Sequence, residues 1–320
     1  MHRWIVIGLA ALLSSLAVSA QAQDYPVRTI RAITNLSAGG LSDIFMRALG
    51  EELHKRWGQP IIVENRPGGA YNIGARACQD AAADGYTICI LLSDAVVYNP
   101  HLYKSLPFDE RAIQPVMNLF YLIQTLAVNS SLGVKTIDEL VAYSKAKPKT
   151  LSYQSASPAP ALYMEQLKEQ KGADWVRVPF KGGADSVNAM LTGATPVSLL
   201  GEGNIIGHIQ AGTVTPLVML NNICSPNFPN VPTLEDVGYR GAVSRAWFGL
   251  FVPTGTPRPI VDKIVKEVFS VLAEPAFREK QLTARSLVPG GSVTEKFADE
   301  LKRDRAEAEQ VVKAAGLTPQ

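Results

Sequence analysis

Residues 27–53 read VRTIRAITNLSAGGLSDIFMRALGEEL and carry the pattern from which the architecture follows. Positions 27–33 are rich in apolar residues and predict a strand, and positions 34–41 form a glycine-containing loop. From Ser42 onward the apolar residues recur at helical spacing, and Ser42 or Asp43 is suited to cap that helix. The stretch therefore predicts a strand, a loop and a helix, the repeating unit of an α/β protein.

The same alternation runs through the rest of the chain. Its strands are short and nearly continuous in apolar residues, which favours parallel sheets covered on both faces. A late strand, after a complete second unit, suggests that the chain returns to its first domain, with ligand-accepting loops at the carboxyl ends of the strands. The further predicted strands are 61–63, 86–92, 126–129, 151–154, 176–178, 197–200, 216–220 and 247–252, and the helices are 73–83, 137–146, 162–170, 184–191, 205–211, 260–273 and 294–315.

The composition is that of a packed globular protein without signs of nucleic-acid binding. The chain has 320 residues, of which 47% are hydrophobic and 19% charged, so it belongs with packed globular proteins. Its formal charge is 31 − 29 = +2 with scattered basic residues, which offers no footprint for nucleic acid. Three cysteines are too few for a disulfide-built scaffold.

The N-terminus predicts export. A short basic start is followed by an apolar stretch at 4–18, and Ala20-Gln21-Ala22 gives the small-x-small pattern that a signal peptidase cleaves. The apolar stretch is shorter than the roughly 20 residues that a membrane-spanning helix needs. We therefore expect residues 1–22 to be a cleaved signal peptide and the mature chain to lie in the periplasm without inserting into the membrane.

The cysteines leave two interpretations open. Cys78 lies in a predicted helix and Cys89 in the strand that follows it, so a bridge between them is possible. The alternative is that they are buried free thiols that pack as small apolar groups. The spacing does not choose between these alternatives.

Motifs of catalysis are absent from the sequence. No glycine-rich nucleotide loop and no G-x-S-x-G nucleophile motif is present. His54, His101 and His208 are isolated, with no partner at metal-ligand spacing. We therefore predict no catalytic residue, no metal and no cofactor, and that the protein is not an enzyme.

Two strand-to-helix loops offer backbone hydrogen-bond donors. The first is Ser37-Ala38-Gly39-Gly40-Leu41-Ser42, where glycines allow close approach and the helix start favours an anion. The second is Ser155-Ala156-Ser157, followed by Pro158 and Pro160, which lack N–H groups. Each loop is also consistent with an ordinary turn and helix entry.

Short motifs in a fixed order give the sequence a family resemblance. The chain resembles the extracytoplasmic solute receptors of tripartite tricarboxylate transporters, the Bug (TctC-type) family. The ordered set covers nearly the whole mature chain. The matching segments are Ala38-Gly39-Gly40 with Asp43, Val63-Glu64-Asn65-Arg66-Pro67-Gly68, Asn72-Ile73-Gly74, Asp84-Gly85-Tyr86-Thr87, Asn99-Pro100 with Tyr103, Val178-Pro179-Phe180-Lys181-Gly182, Val231-Pro232-Thr233 with Glu235 and Gly238, and Trp247-Phe248-Gly249-Leu250-Phe251 with Pro253, Gly255, Thr256 and Pro257.

The resemblance implies a type II periplasmic-binding-protein fold. Two α/β lobes, residues 23–124 plus 245–320 and residues 125–244, would flank a ligand cleft and be joined by a hinge. A ligand carboxylate would be held by residues 37–42 of one lobe and 155–159 of the other. The resemblance further implies a small organic carboxylate as ligand and the permease subunits of a tripartite tricarboxylate-type transporter as partners. We expect the receptor to be a monomer.

Several positions depart from the family pattern. The second loop has Ser157, Ala159 and Tyr163 where the family usually carries two glycines and a histidine, and Tyr71 stands where glycine is usual. Leu200 replaces a common acidic residue, although Glu202 is close enough to substitute for it. These changes predict a bulkier, less polar pocket and an aromatic or weakly polar acid as ligand; alternatively they only repack the lobes. The predicted ligand contacts outside the two loops are Tyr71, Asn72, Lys181 and Glu202.

Two other functions compete with transport. A sensor subunit that binds the ligand and docks on a membrane signalling kinase would have the same fold and pocket. A secreted α/β hydrolase would need a nucleophile with a base, or a metal, and the sequence shows neither. The leading prediction remains a receptor that delivers its ligand to a permease.

Overall fold

The computed structural model describes residues 25–155, 158–178, 180, 183–221, 223–239, 245–314 and 318–319. The predicted signal peptide lies outside the described residues, as do Ala156, Ser157 and Lys181 among the predicted ligand contacts. In the described ranges no helix is both long and apolar enough to cross a membrane.

The chain forms the predicted α/β fold of alternating strands and helices. The strands are β1 (Ile30–Thr34), β2 (Ile61–Asn65), β3 (Thr87–Leu92), β4 (Ile113–Leu122), β5 (Gln124–Asn129), β6 (Ser152–Ser155), β7 (Val176–Val178), β8 (Val197–Gly201), β9 (Val214–Met219), β10 (Trp247–Pro253) and β11 (Leu287–Pro289). The helices are α1 (Leu41–Trp57), α2 (Asn72–Gln79), α3 (Ser93–Val96), α4 (Asn99–Leu102), α5 (Ile137–Ala146), α6 (Pro158–Lys171), α7 (Gly183–Leu191), α8 (Ile206–Gln210), α9 (Arg258–Ala273), α10 (Pro275–Gln281) and α11 (Thr294–Ala314). Short 3₁₀ turns lie at Glu110–Ala112, Ser130–Leu132, Glu202–Asn204 and Thr283–Arg285.

Two sheets organise these elements. The first sheet has the order β11-β4-β10-β3-β1-β2, and the second has the order β7-β6-β8-β5-β9. The late strand β10 lies between β3 and β4, so the chain does return to its first sheet after building the second. The large core beneath the first sheet includes a cluster of aromatic rings in which the Phe45 and Phe120 centroids lie 4.6 Å apart.

The prediction of parallel sheets is wrong in part. Strands β1, β2 and β3 are parallel, as are β6, β7 and β8. In contrast, β10 runs antiparallel to β3, and β5 runs antiparallel to β8. The reason is topological. Both β5 and β10 begin where the chain crosses between the sheets, at the carboxyl ends of the parallel strands, and must therefore run the opposite way.

The chain crosses from the first sheet to the second through Ile123, the single residue between β4 and β5. Asn221, just after β9, reaches across to this connection. Its Nδ2 donates to the Leu122 carbonyl at 2.7 Å, and its Oδ1 accepts from the Gln124 N–H at 3.4 Å. The segment that leaves the first sheet after β4 and the segment that leads back to it after β9 are thus held side by side.

Cys78 on α2 and Cys89 on β3 are joined by a disulfide, with their Cα atoms 6.1 Å apart. Of the two alternatives that the sequence left open, the structure has the bridge. It ties α2 to a central strand of the first sheet. Cys224 is an exposed free thiol.

Candidate functional site

The loop between β1 and α1 carries the first set of predicted ligand contacts. α1 begins at Leu41, behind Gly40, whose backbone is extended (φ −81°, ψ 171°), and no side chain caps the helix. The prediction that Ser42 or Asp43 is the cap is therefore wrong, because both residues already lie inside the first turn. Within the loop, Ala38 is exposed and Ser37 is half-buried.

Asp43 nevertheless holds the loop against the helix. Its Oδ2 accepts a hydrogen bond of 3.0 Å from the Gly39 N–H, and its Oδ1 pairs with Arg47 at 2.9 Å. Although burial favours the neutral acid, the hydrogen bonds from Arg47 and Gly39 outweigh it and hold the pKa of Asp43 below its usual value. Ser42 Oγ lies 3.0 Å from Thr34 Oγ1, which ties the first turn of α1 back to β1.

The start of α1 can bind an anion. The first N–H to bond within the helix is that of Ile44, to the Gly40 carbonyl at 3.0 Å. The N–H groups of Leu41, Ser42 and Asp43 precede it and therefore have no carbonyl partner inside the helix. These donors, together with the helix dipole, favour negative charge at this end.

Residues of the second sheet's unit face the same loop. Ser37 Oγ donates to Asp185 Oδ2 at 3.2 Å. A β-carbon built on Gly39 would lie 3.9 Å from the Ala184 Cβ. Ala184 and Asp185 lie in the first turn of α7, so the loop before α1 meets the start of a helix that belongs to the second sheet's unit.

A cavity of about 50 Å³ lies between the two sheets beside this meeting point. Both sheets and the loops around them contribute to its wall. The contributors from the first sheet's side are Leu36, Leu41, Ser42, Tyr71, Leu92, Leu122 and Phe248. Those from the second sheet's side are Gln124, Leu199, Leu200, Gly201 and Asn204.

The wall of the cavity is apolar with a few polar atoms. Half of its twelve residues are leucines, and none of the described lining residues carries a charge. Its polar side chains are Ser42, Tyr71, Gln124 and Asn204. Such a lining suits a ligand with an apolar body and few polar groups.

Tyr71 enters this wall from a strained turn. Its backbone is left-handed (φ 75°), as is that of Ala70 (φ 50°), a conformation that costs about 1–3 kcal/mol per residue. Asn99 supports the turn, since its Nδ2 donates to the Ala70 carbonyl and to Asn72 Oδ1, both at 2.7 Å. The Tyr71 side chain is only 2% exposed, and burial raises the pKa of its phenol well above the ordinary value.

Tyr71 and Asn72, both predicted ligand contacts, therefore differ in position. Tyr71 lines the cavity, whereas Asn72 is buried behind it and bonded to Asn99. Ser155 is buried at the end of β6 and stands in register with Leu199, which lines the cavity. Ser155 is thus one strand away from the cavity wall.

Glu202 is completely buried and does not line the cavity. Its Oε1 accepts hydrogen bonds from Ser225 Oγ at 2.7 Å and from Ser286 Oγ. Ser286 also accepts from Asn227 Nδ2 at 2.6 Å. Because Ser286 precedes β11 of the first sheet and Glu202 follows β8 of the second, this network joins the two units.

Several lining residues were missed by the sequence reasoning. Leu36, Leu92, Leu122 and Phe248 belong to ordinary apolar runs, so nothing local marks them as part of a site. Gln124 does carry a weak signal, which it shares with Asn118 and Thr125, because all three are polar residues inside the apolar run 116–128.

Comparison with known proteins places these features in a family. The model for the tripartite tricarboxylate transporter family receptor matches residues 45–317. The chain is 34% identical over 285 residues to the UPF0065 protein in the gbd 5′ region of Cupriavidus necator, which spans 86% of this chain and 84% of that protein.

Solved structures resemble the whole described fold. Rpa4515 of R. palustris, solved with adipate, has a TM-score of 0.85 and 26% identity, covering 92% of this chain and 100% of that one. MatC (Rpa3494) from Rhodopseudomonas palustris, with bound malate, has a TM-score of 0.80 and 26% identity, covering 90% and 100%.

Proposed function

The chain belongs to the family of tripartite tricarboxylate transporter receptors, and on that premise we propose that it captures a small organic carboxylate and delivers it to the permease subunits of such a transporter. The neighbours solved with adipate and with malate support a carboxylic acid as ligand class. Receptors of this family bind solutes and are not enzymes.

One observation carries the proposal. The helix start at Leu41–Asp43 offers N–H groups without intrahelical partners beside a cavity that both sheets line. A carboxylate at this position would accept hydrogen bonds from the first turn of α1, while its apolar part would contact the leucines of both sheets. Such a ligand stabilises the closed arrangement, because only that arrangement supplies contacts from both sides.

Ligand entry requires the two units to separate. A cavity of about 50 Å³ holds only a few water-sized groups, since each needs roughly 10–15 Å³. We assign residues 23–124 plus 245–320 to one lobe and residues 125–244 to the other, with the paired segments at Ile123 and Asn221 as the hinge. Opening about this hinge admits the acid, and closure buries it.

The ligand is a weakly polar acid. Its carboxylate uses backbone donors, and no described lining side chain is charged, so additional charge on the ligand would be buried without a partner. An aromatic acid fits this description as well as an aliphatic one. In this proposal Ser155, Ala156, Ser157 and Lys181 of the second unit complete the site around that one carboxylate, and Glu202 supports the site from behind.

The cellular setting follows from the N-terminus. Residues 1–22 act as a signal peptide, and the mature chain, beginning at Gln23, works as a monomer in the periplasm. The family of periplasmic receptors to which the chain belongs supports this location.

A thermal-shift screen of the mature protein against mono- and dicarboxylic acids, including aromatic ones, tests the proposal. An acid present at 100 times its Kd adds roughly 2.7 kcal/mol to the free energy of unfolding and so raises the Tm. If no acid of the panel raises the Tm, the proposed function is wrong.

A pair of variants at one position tests the role of the helix start. Ser42→Ala removes the hydroxyl alone, whereas Ser42→Pro also removes the backbone N–H, which bonds to no carbonyl within the helix. A hydrogen bond to a charged group contributes about 1.5–3 kcal/mol, so the proline variant should bind the acid roughly 10- to 150-fold more weakly than the alanine variant. Equal affinities would exclude the Ser42 N–H as a ligand donor.

A further inference from the structure

Two residues of the cavity wall each carry a buried polar atom that lacks a hydrogen-bond partner. These atoms are Tyr71 Oη and Gln124 Oε1, and no described residue forms a hydrogen bond with either of them. Tyr71 is 2% exposed and Gln124 is 4% exposed. An unpaired buried polar atom destabilises a protein, so two of them in the wall of one cavity need an explanation.

The chemistry of the two atoms defines what they can bind. The phenol of Tyr71 is protonated at neutral pH, since the ordinary pKa of tyrosine is 10.0 and burial raises it further, so it donates one hydrogen bond and accepts others. The amide oxygen of Gln124 only accepts. A hydroxyl group satisfies both, because its oxygen accepts from Tyr71 and its hydrogen is donated to Gln124.

A second carboxylate would fit the same position poorly. Ionised carboxylates only accept hydrogen bonds, so a carboxylate would leave Gln124 Oε1 facing another acceptor. No described residue of the cavity wall carries a positive charge to compensate it, and Arg177, whose charge acts on Tyr71, is exposed and lies outside the wall. Leucines make up most of the remaining surface, which raises the cost of burying charge.

We infer that Tyr71 and Gln124 form a second polar subsite that binds a hydroxyl group of the ligand, so that this receptor prefers hydroxy-monocarboxylic acids to dicarboxylic acids. The inference rests on the proposed function, in which the carboxylate lies at the start of α1. Tyr71 comes from the first sheet's unit and Gln124 begins the second sheet. The hydroxyl therefore bridges both sides of the cleft and adds to the stability of the closed form.

Isothermal titration calorimetry with matched acids tests the inference. One set is butanoate, 4-hydroxybutanoate and succinate, and the other is hexanoate, 6-hydroxyhexanoate and adipate. In at least one set we expect the hydroxy acid to bind ten times or more as tightly as both the unsubstituted acid and the diacid. The inference is overturned if, in both sets, the diacid or the unsubstituted acid binds as tightly as the hydroxy acid.

Variants assign the preference to the two residues. Tyr71→Phe should reduce the advantage of the hydroxy acid over the unsubstituted acid at least fivefold. Gln124→Met should do the same and provides the test should the phenylalanine variant not fold. Tyr86→Phe is the matched control and should preserve the preference, because Tyr86 precedes β3 at its amino end, whereas Leu92 at the carboxyl end of β3 lines the cavity.

The outcomes distinguish failure of the subsite from failure of the proposed function. If both variants weaken the hydroxy acid and the unsubstituted acid equally, Tyr71 and Gln124 have no specific role and the subsite is refuted, while the proposed function stands. If no acid of either set binds to the wild type and the wider panel also fails, the subsite and the proposed function are both refuted.

Discussion

Replacing Gly203 by alanine should weaken ligand binding without unfolding the protein. Gly203 lies in the 3₁₀ turn that follows β8 of the second sheet, and it packs against Arg285, which precedes β11 of the first sheet. A β-carbon at position 203 would lie 2.1 Å from the Arg285 carbonyl oxygen and 3.1 Å from Leu41 Cδ2. The variant therefore places a methyl group directly between the two units.

The size of the effect follows from the geometry. Real Cβ atoms approach neighbours no closer than 3.0 Å, so the turn and Arg285 must separate by at least 3.0 − 2.1 = 0.9 Å. The obstructing atom belongs to the backbone and cannot rotate away. Overpacking of this kind costs about 1–3 kcal/mol. If the open form avoids the clash, the whole cost falls on the closed form, and the Kd rises roughly 5- to 150-fold.

Calorimetric titration with the acid that stabilises the wild type most measures the Kd, and thermal melts without ligand measure the stability of the protein itself. Gly207→Ala is the matched control, because a β-carbon on Gly207 meets no atom within 4 Å. We expect Gly203→Ala to raise the Kd at least fivefold. We expect the loss of stability without ligand, read from the Tm, to be smaller than the loss of binding free energy. A Kd within twofold of the control, or a fully equivalent loss of ligand-free stability, would refute the idea that this contact separates on opening.

Three further predictions concern stability. Burial raises the pKa of Asp304 from 3.8 to about 6, so the folded protein binds this proton more tightly and loses stability as the pH rises from about 4 to 6. After a discount for partial exposure, the free energy of unfolding of Asp304→Asn relative to the wild type should increase by about 1–2 kcal/mol between pH 4 and 7.5. Chemical denaturation measures this difference, and a difference that does not change with pH would contradict the prediction. Replacing both Cys78 and Cys89 by alanine opens a loop of sequence separation 11 and should lower the free energy of unfolding in urea by about 2–3 kcal/mol, whereas an unchanged midpoint would count against a stabilising bridge. Gly249→Ala would place its β-carbon 2.5 Å from Phe297 Cζ in the core and should cost about 1–3 kcal/mol, so an unaltered Tm would show that the ring moves aside freely.

Local patterns were sufficient for much of the fold. The helix predicted at 137–146 and the strand predicted at 176–178 agree with α5 and β7, since each has a clear periodicity and clear ends. The ten-residue strand β4 was not predicted. Its apolar run contains Gln114, Pro115 and Asn118, and it becomes a strand only because β10 and β11 pair with its two edges.

The candidate site was predictable only where its chemistry is local. The loop before α1 shows its glycines and its helix start in the sequence, and the departure at Tyr71 pointed to the cavity wall. The start of α1 was misplaced, because Asp43 resembles a cap but bonds back to Gly39 from within the first turn. The contacts of Gln124 and Leu199 depend on how the two sheets meet, which no local pattern encodes.

A crystal structure of the mature protein with the tightest-binding acid tests the central claim most directly. The account predicts a carboxylate oxygen about 2.7–3.2 Å from the backbone nitrogens of Leu41–Asp43, with the rest of the acid between the two sheets. An acid bound elsewhere on the molecule, with these nitrogens bonded only to water, would contradict it.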